Sequence, residues 1–213
     1  TNLLTEVVDA FDSKLELFNQ RDVLERTNPI RLLVVNRHYG GTSATGQIVQ
    51  DLAEDLTADG IAVTVLAGSV KYEGPHPIVG RNEILQGVHV RRVPGTYFGR
   101  SSHLRNIVDM AFFYAFSACW IIGIRKSQYT HLMVLTDPPL IGFLGPIGKR
   151  LKHWRFVYNI HDLYPDIALA LEVLRPGLVY RVFERVNSGI LKQADLILCV
   201  GQHLAMYLTK YAP

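Results

Sequence analysis

The segment from Arg31 to Leu66 constrains the fold of this chain more than any other, because it joins two apolar strands through a glycine loop and a helix. Residues 31–36 (RLLVVN) form one short apolar run, and residues 61–66 (IAVTVL) form the next. Between them, apolar residues recur at helical spacing and predict one buried helix face. These residues are Ile48, Val49, Leu52, Ala53 and Leu56. A strand, a helix and a strand in this order are typical of a parallel sheet covered by helices.

The loop after the first strand carries Gly40 and Gly41 just before the helix. A helix N-terminus presents free backbone N–H groups and the positive end of the helix dipole, so a phosphate can bind there. Neither glycine has a Cβ, which lets a ligand approach the backbone closely. The glycine spacing matches neither the dinucleotide fingerprint nor the P-loop, and no acidic residue for a ribose ends the second strand. The loop therefore predicts either an anion site or only a tight turn into the helix.

Composition places the chain among globular proteins. Of its 213 residues, 48% are hydrophobic and 19% are charged, and the formal net charge is +3. The Lys and Arg residues are scattered, so no nucleic-acid surface is expected. Cys119 and Cys199 lie far apart in apolar sequence and are interpreted as buried thiols of a reducing compartment, not as a disulfide or a metal site. No secretory signal is visible at Thr1, and a cytoplasmic location is expected.

The remaining sequence alternates strands and helices after a different N-terminal segment. Residues 1–29 carry apolar residues at helical spacing and end at a proline, which predicts a helical arm before a domain spanning 30–213. An apolar helix is predicted over 104–125, and its apolar stretch is shorter than the ~20 residues that a membrane span needs. A helix packed between the sheet and solvent is therefore favoured. Further strands are predicted at 83–94 (two strands around a turn), 131–135, 154–160 and 195–200. The predicted fold is a single doubly wound α/β domain with a mainly parallel, Rossmann-like sheet.

Polar side chains follow the predicted strands at the edge where parallel sheets place their ligands. His161 and Asp162 come directly after strand 154–160, and Asp137 follows strand 131–135. A histidine there can donate a hydrogen bond near neutral pH, and an adjacent carboxylate can orient it or accept a hydrogen bond from a hydroxyl group. The alternatives are that Asp162 caps a helix starting near Pro165 and that Asp137 mainly forms a turn.

His38 and Tyr39 are expected on the rim of the loop after the first strand. Because the carboxyl ends of parallel strands meet at one edge, three pairs are predicted to cluster there. These pairs are Gly40 and Gly41, Thr136 and Asp137, and His161 and Asp162.

Several segments together resemble the N-terminal half of a retaining glycosyltransferase of the two-Rossmann-domain (GT-B) type, in glycosyltransferase family 4. The resemblance covers roughly residues 31–211, and no single motif decides it. Its motifs are Tyr39–Gln47, Asp59–Leu66, Gly87–Pro94, Thr136–Leu140, Tyr158–Asp166 and Lys192–Leu198.

The resemblance implies an acceptor-binding domain whose C-terminal partner domain would hold a nucleotide-sugar donor. It implies contacts of Gly40, Gly41, Thr42 and Ser43 with the donor diphosphate, and His161 and Asp162 are the candidates for catalytic roles because they follow a strand at the ligand edge. Thr42 or Ser43 could instead serve only as the helix N-cap. His38, Tyr39 and Asp137 are candidates for binding a saccharide or lipid-linked acceptor. Neither a metal nor a cofactor is expected.

The chain ends about where the linker to the donor domain would begin, so the isolated chain is expected to be inactive. The alternative is a stand-alone, non-catalytic half that anchors a separate donor-binding partner. The loop before the apolar helix mixes basic and aromatic residues, which suits either peripheral membrane contact or an ordinary solvated loop. They are Tyr97, Phe98, Arg100, His103 and Arg105.

Overall fold

The computed structural model describes residues 29–41, 43–68, 82–93, 103–172, 174–209 and 211, with the side chains of 103–105 excluded. Three sequence predictions lie outside these residues. They concern the helical arm before Pro29, Thr42, and the basic and aromatic side chains between 97 and 105.

The described elements alternate strands and helices, as predicted. The strands are β1 (Arg31–Val35), β2 (Ala62–Gly68), β3 (Asn82–Leu85), β4 (Val88–Val93), β5 (His131–Val134), β6 (Arg155–Ile160) and β7 (Leu196–Cys199). The helices are α1 (Ala44–Ala58), α2 (His103–Gly123), α3 (Leu144–Lys152), α4 (Asp166–Ala170), α5 (Leu178–Leu191) and α6 (Gln202–Leu208). Short 3-10 turns cover Lys126–Gln128 and Ile141–Phe143.

The seven strands form one sheet in the order β3-β4-β2-β1-β5-β6-β7. Every neighbouring pair is parallel except β3 and β4, which form an edge hairpin. The hairpin turn at Gln86 and Gly87 has φ angles of +47° and +83°, the left-handed pair that a two-residue hairpin prefers. The prediction of a mainly parallel, Rossmann-like α/β sheet is confirmed.

Apolar side chains alternate along β1 and build a core on each face of the sheet. Leu33 and Val35 face a core shared with α2, α3, α5 and α6, whereas Leu32 and Val34 face the core that α1 covers. On α1, Val49 and Ala53 are fully buried, but Ile48 is 46% exposed. The predicted apolar stripe was therefore one position too wide at Ile48.

Helix α2 packs on the sheet by one side only. Phe113, Ser117 and Ile121 follow one another at four-residue spacing and are buried. The opposite side stays exposed, including Cys119, so the prediction of a buried thiol was wrong there; Cys199 is half-buried, and both cysteines are free thiols. Of the described helices, α2 is the one long and apolar enough, by length and composition alone, to cross a membrane.

Candidate active site

The loops after β1, β5 and β6 lie side by side at the carboxyl edge of the sheet, because these three strands are parallel neighbours. The Nδ1 of His38 lies 2.8 Å from the Oδ2 of Asp137. The hydroxyl of Thr136 accepts hydrogen bonds from the backbone N–H groups of His161 and Asp162, each at 3.2 Å. The predicted clustering of strand-end residues is confirmed as geometry.

The glycine loop after β1 is a tight turn that positions the start of α1. Gly40 and Gly41 have φ angles of +67° and +75°, which side chains rarely adopt. The N–H of Gly40 donates to the carbonyl of Gly46 at 2.9 Å, so it belongs to the turn. A Cβ on Gly46 would lie 2.5 Å from the carbonyl oxygen of Gly40, whereas a Cβ on Gly41 would meet no atom within 4 Å. The turn therefore leaves no room for a side chain at Gly46, whereas the space where a side chain of residue 41 would lie is free of other atoms.

Ser43 is the N-cap of α1. Its hydroxyl accepts a hydrogen bond from the N–H of Gly46 at 3.3 Å. Such a cap satisfies only one of the N–H groups that a helix leaves unpaired in its first turn. The turn and the cap are therefore present, and they leave donors for an anion at the same place.

His38 and Asp137 form a partly buried polar pair that connects the loops after β1 and β5. An ionised carboxylate only accepts hydrogen bonds, so Nδ1 of His38 donates to it. The side chain of His38 is 9% exposed and that of Asp137 is 32% exposed. The amide of Asn36 holds the backbone of His38 by donating to its carbonyl at 2.7 Å. The N–H of Arg37 donates to the carbonyl of Asp137 at 3.1 Å, which fixes the two loops together.

The sequence identified both members of this pair but not their pairing. The sequence predicts a separate acceptor contact for each residue and mainly a turn role for Asp137. The available signal was that each follows one of two strands that a doubly wound fold makes neighbours.

The predicted pair His161 and Asp162 is divided by the structure. Asp162 lines the cavity at this edge, while His161 is half-buried and is not among the lining residues. Burial lowers the pKa of His161, and the charge of Asp162 opposes this shift. The helix-capping alternative for Asp162 fails, because α4 begins at Asp166 and its N-cap is Pro165, with no side-chain cap.

Tyr39 does not lie on the loop rim, contrary to prediction. Its side chain packs into the core on the α1 side of the sheet and is 5% exposed. The guanidinium of Arg92 lies 5.8 Å from the centre of its ring. Its hydroxyl has no hydrogen-bond partner among the described residues, and burial, together with Glu54, raises its pKa to about 12. The hairpin partner β4 supplies this cover, which the local sequence around Tyr39 does not show.

Tyr164 lines the cavity and was missed. It follows Asp162 on the β6 loop, and its backbone carbonyl accepts a hydrogen bond from the buried amide of Asn187 at 2.8 Å. Burial raises the pKa of Tyr164, and the charges of Asp162 and Asp137 add to the rise. Its place two residues after Asp162, in a loop already singled out, was the only signal for it.

The cavity itself has a volume of about 270 Å³ and is lined mostly by polar side chains. They are His38, Ser43, Thr45, Thr136, Asp137, Asp162 and Tyr164, with Ala44. Two carboxylates can accept hydrogen bonds from hydroxyl groups, and the adjacent helix N-terminus attracts negative charge. The site suits a polyhydroxylated ligand held beside an anion. Within the described ranges, no three His, Cys, Asp or Glu residues are grouped to hold a metal ion.

Comparisons with known proteins identify a family and a similar fold. A family model described as a glycosyl transferase 4-like domain matches residues 43–212. The fold is similar to that of a sucrose-phosphate synthase from Thermosynechococcus elongatus, with a TM-score of 0.58 at 11% sequence identity. The match covers 86% of this chain but only 45% of that enzyme, so the chain spans less than half of its length. No curated protein sequence matches the chain significantly.

Proposed function

Since the chain belongs to the glycosyl transferase 4-like domain family, we propose that it is the acceptor-binding half of a glycosyltransferase. The complete enzyme would transfer a sugar, with retention, from a nucleotide-sugar donor to a hydroxyl of a saccharide or lipid-linked acceptor. The observation that carries this proposal is the polar cleft where Asp137 and Asp162 lie beside the N-terminus of α1.

In the proposed reaction, a bond forms between an acceptor hydroxyl oxygen and the anomeric carbon, and the bond from that carbon to the diphosphate breaks. Negative charge grows on the departing diphosphate, which is a species that a helix N-terminus stabilises. The backbone around Gly41, Thr42 and Ser43 would supply this stabilisation, with Gly40 shaping the turn. The transfer needs neither a metal nor a cofactor from this half.

Asp162 is assigned to the acceptor hydroxyl, from which it accepts a hydrogen bond and the proton as the new bond forms. His161 is not among the residues that line the cavity, so no substrate contact is assigned to it; its backbone N–H helps to hold the β6 loop by donating to the hydroxyl of Thr136. Asp137, oriented by His38, is assigned to a second acceptor hydroxyl.

The test uses the full gene product and measures nucleoside diphosphate release across a panel of nucleotide sugars and acceptors. With an active pair, Asp162→Asn should lower kcat by about 100-fold or more and leave the KM for the donor near its original value. Asp59→Asn is the matched control, because Asp59 is exposed at the far end of α1. Equal kcat in both variants would remove Asp162 from the reaction.

The 213-residue chain alone should catalyse no transfer and bind nucleotide sugars weakly. Holding two reactants in position can lower the activation barrier of such a reaction by up to ~7–11 kcal/mol, and this positioning requires both domains. Calorimetry with the isolated chain and with the full product compares the two directly. Tight donor binding by the isolated chain would contradict the assignment of this domain to the acceptor.

A further inference from the structure

Helices α2, α3 and α5 cover the same face of the sheet, and their outward sides carry large exposed apolar side chains. On α2, Phe112 and Phe116 are 44% and 42% exposed, and their rings lie 6.1 Å apart. On α5, Val182 and Val186 are 51% and 41% exposed. We call the outward sides of these three helices the basic apolar face. Large exposed apolar patches on a folded protein often mark surfaces that bind another protein or a membrane.

The charges of the basic apolar face all have one sign. Among its described side chains, those that are both charged and exposed are arginines, including Arg181 and Arg185 between the valines of α5. The acids of the same helices point elsewhere: Asp109 is buried, and Glu184 is half-buried and accepts a hydrogen bond from Tyr211.

The helix on the other face of the sheet shows the opposite pattern. The exposed charges of α1 are the acids Asp51 and Asp55. Its one large exposed apolar residue is Ile48. The domain is therefore polarised across the sheet, with arginine and apolar groups on one side and carboxylates on the other.

We propose that the basic apolar face docks on the surface of an anionic phospholipid bilayer. Exposed aromatic and aliphatic side chains with interspersed arginines are what an interfacial helix uses, because the apolar groups enter the acyl boundary and the guanidinium groups meet lipid phosphates. The acidic opposite side would face away from the negative membrane. This inference concerns docking alone and does not depend on the proposed sugar transfer.

The charge pattern selects this occupant over a second copy of the chain. A symmetric contact would place Arg181 and Arg185 of two copies against one like-charged face, and the described exposed residues of that face offer no carboxylate to pair with them. A bilayer containing phosphatidylglycerol supplies the missing negative charge along the whole face.

The experiment is sedimentation of the full gene product with vesicles of phosphatidylcholine containing 30% phosphatidylglycerol, compared with phosphatidylcholine alone. We expect binding to the anionic vesicles that weakens as salt rises. Arg181→Gln with Arg185→Gln should lower partitioning about 30-fold, since each cation near the surface contributes roughly five-fold. Phe112→Ser and Phe116→Ser should each lower it roughly ten-fold. Circular dichroism confirms that each variant is folded.

The matched control is Asn82→Asp with Gln86→Glu, which removes the same two units of net charge at the exposed β3–β4 hairpin. It should bind nearly as well as the original protein. A loss equal to that of the arginine variant would mean that only net charge matters and would overturn the proposed face.

The reactivity of Cys119 is an independent measure of whether the basic apolar face is covered, because its thiol is exposed on the outward side of α2. In a Cys199→Ser background, a thiol reagent should modify Cys119 quickly in solution and slowly with anionic vesicles present. Protection without vesicles would mean that another part of the protein or a second copy covers the face. No vesicle binding at low salt would also reject the proposal.

Discussion

Substitution of Gly145 by alanine tests how closely α3 must approach the sheet. This helix follows the Asp137 loop, so its seat on β5 and β6 positions one wall of the cleft. A Cβ on Gly145 would lie 2.2 Å from two carbons of the Phe156 ring, more than 1 Å inside ordinary carbon–carbon contact of ~3.5 Å. Phe156 is fully buried in the core, so its ring could shift only by displacing its core neighbours.

The magnitude follows from two opposing effects. Overpacking of a buried site costs about 1–3 kcal/mol, and alanine in place of glycine within a helix returns up to ~1 kcal/mol. Because the Cβ would lie only 2.2 Å from the ring, the overpacking cost should be near the upper end, about 2–3 kcal/mol, and Gly145→Ala should lower the free energy of unfolding by about 1–2 kcal/mol. Gly189→Ala in α5 is the matched control, because a Cβ there meets no atom within 4 Å. That variant should gain about 0.5–1 kcal/mol.

Urea unfolding of both variants, followed by far-ultraviolet circular dichroism, measures the difference. The midpoint of Gly145→Ala should fall by roughly 0.5–1 M with an unchanged slope, while that of Gly189→Ala should rise slightly. If Gly145→Ala unfolds at the original midpoint or later, the close contact between α3 and Phe156 is not a real constraint on the domain.

Three further predictions concern single side chains of the site loops. Ser43→Ala should lower the free energy of unfolding by about 1 kcal/mol in urea unfolding, and Ser43→Asp should restore most of it, because either oxygen can cap α1. Tyr39→Phe should leave the free energy of unfolding unchanged or raise it by up to ~1 kcal/mol, because it removes a buried hydroxyl without a partner among the described residues. A fall of more than ~1 kcal/mol would mean that this hydroxyl makes a hydrogen bond in the folded protein. His161 has a folded pKa below its ordinary value, so the unfolded chain binds more protons and stability should fall as pH drops below ~6.5. Thermal melts from pH 8 to 5 should show this slope flattened in His161→Gln, and an identical slope would mean that other groups cause it.

The features that could be predicted from the sequence are those that the local spacing of residues controls. Glycine, apolar runs and helical periodicity located the strands and their order of connection, and parallel topology then placed His38, Asp137 and Asp162 at one edge. The fold class could be read from these patterns because strand ends and helix starts depend on neighbours in sequence.

What could not be predicted depends on contacts between distant segments. Tyr39 is buried beside Arg92 of β4. Asp162 lines the cavity, but its neighbour His161 is not among the lining residues. Periodicity identified the apolar character of α2 but not that Phe112 and Phe116 stay outside. Such outcomes depend on which elements cover one another, and a single sequence contains no direct signal of that.

The basic apolar face and the cleft are connected through one helix, and this bears on the acceptor. Asn187 is buried on the inner side of α5, where it donates to the carbonyl of Tyr164 and accepts from the hydroxyl of Tyr158. Its neighbour Val186 is exposed on the outer side. The cleft wall at Tyr164 is thus separated from the basic apolar face by about one helix diameter, ~10 Å. A lipid-linked acceptor with a polar head of that length could reach Asp162 while its chain stays in the bilayer, whereas a free saccharide would gain nothing from docking. If the protein binds the anionic vesicles, the full gene product should therefore prefer lipid-linked acceptors in the transfer assay. If it instead transfers sugar equally well to free saccharides with and without vesicles, docking and the choice of acceptor are independent of each other.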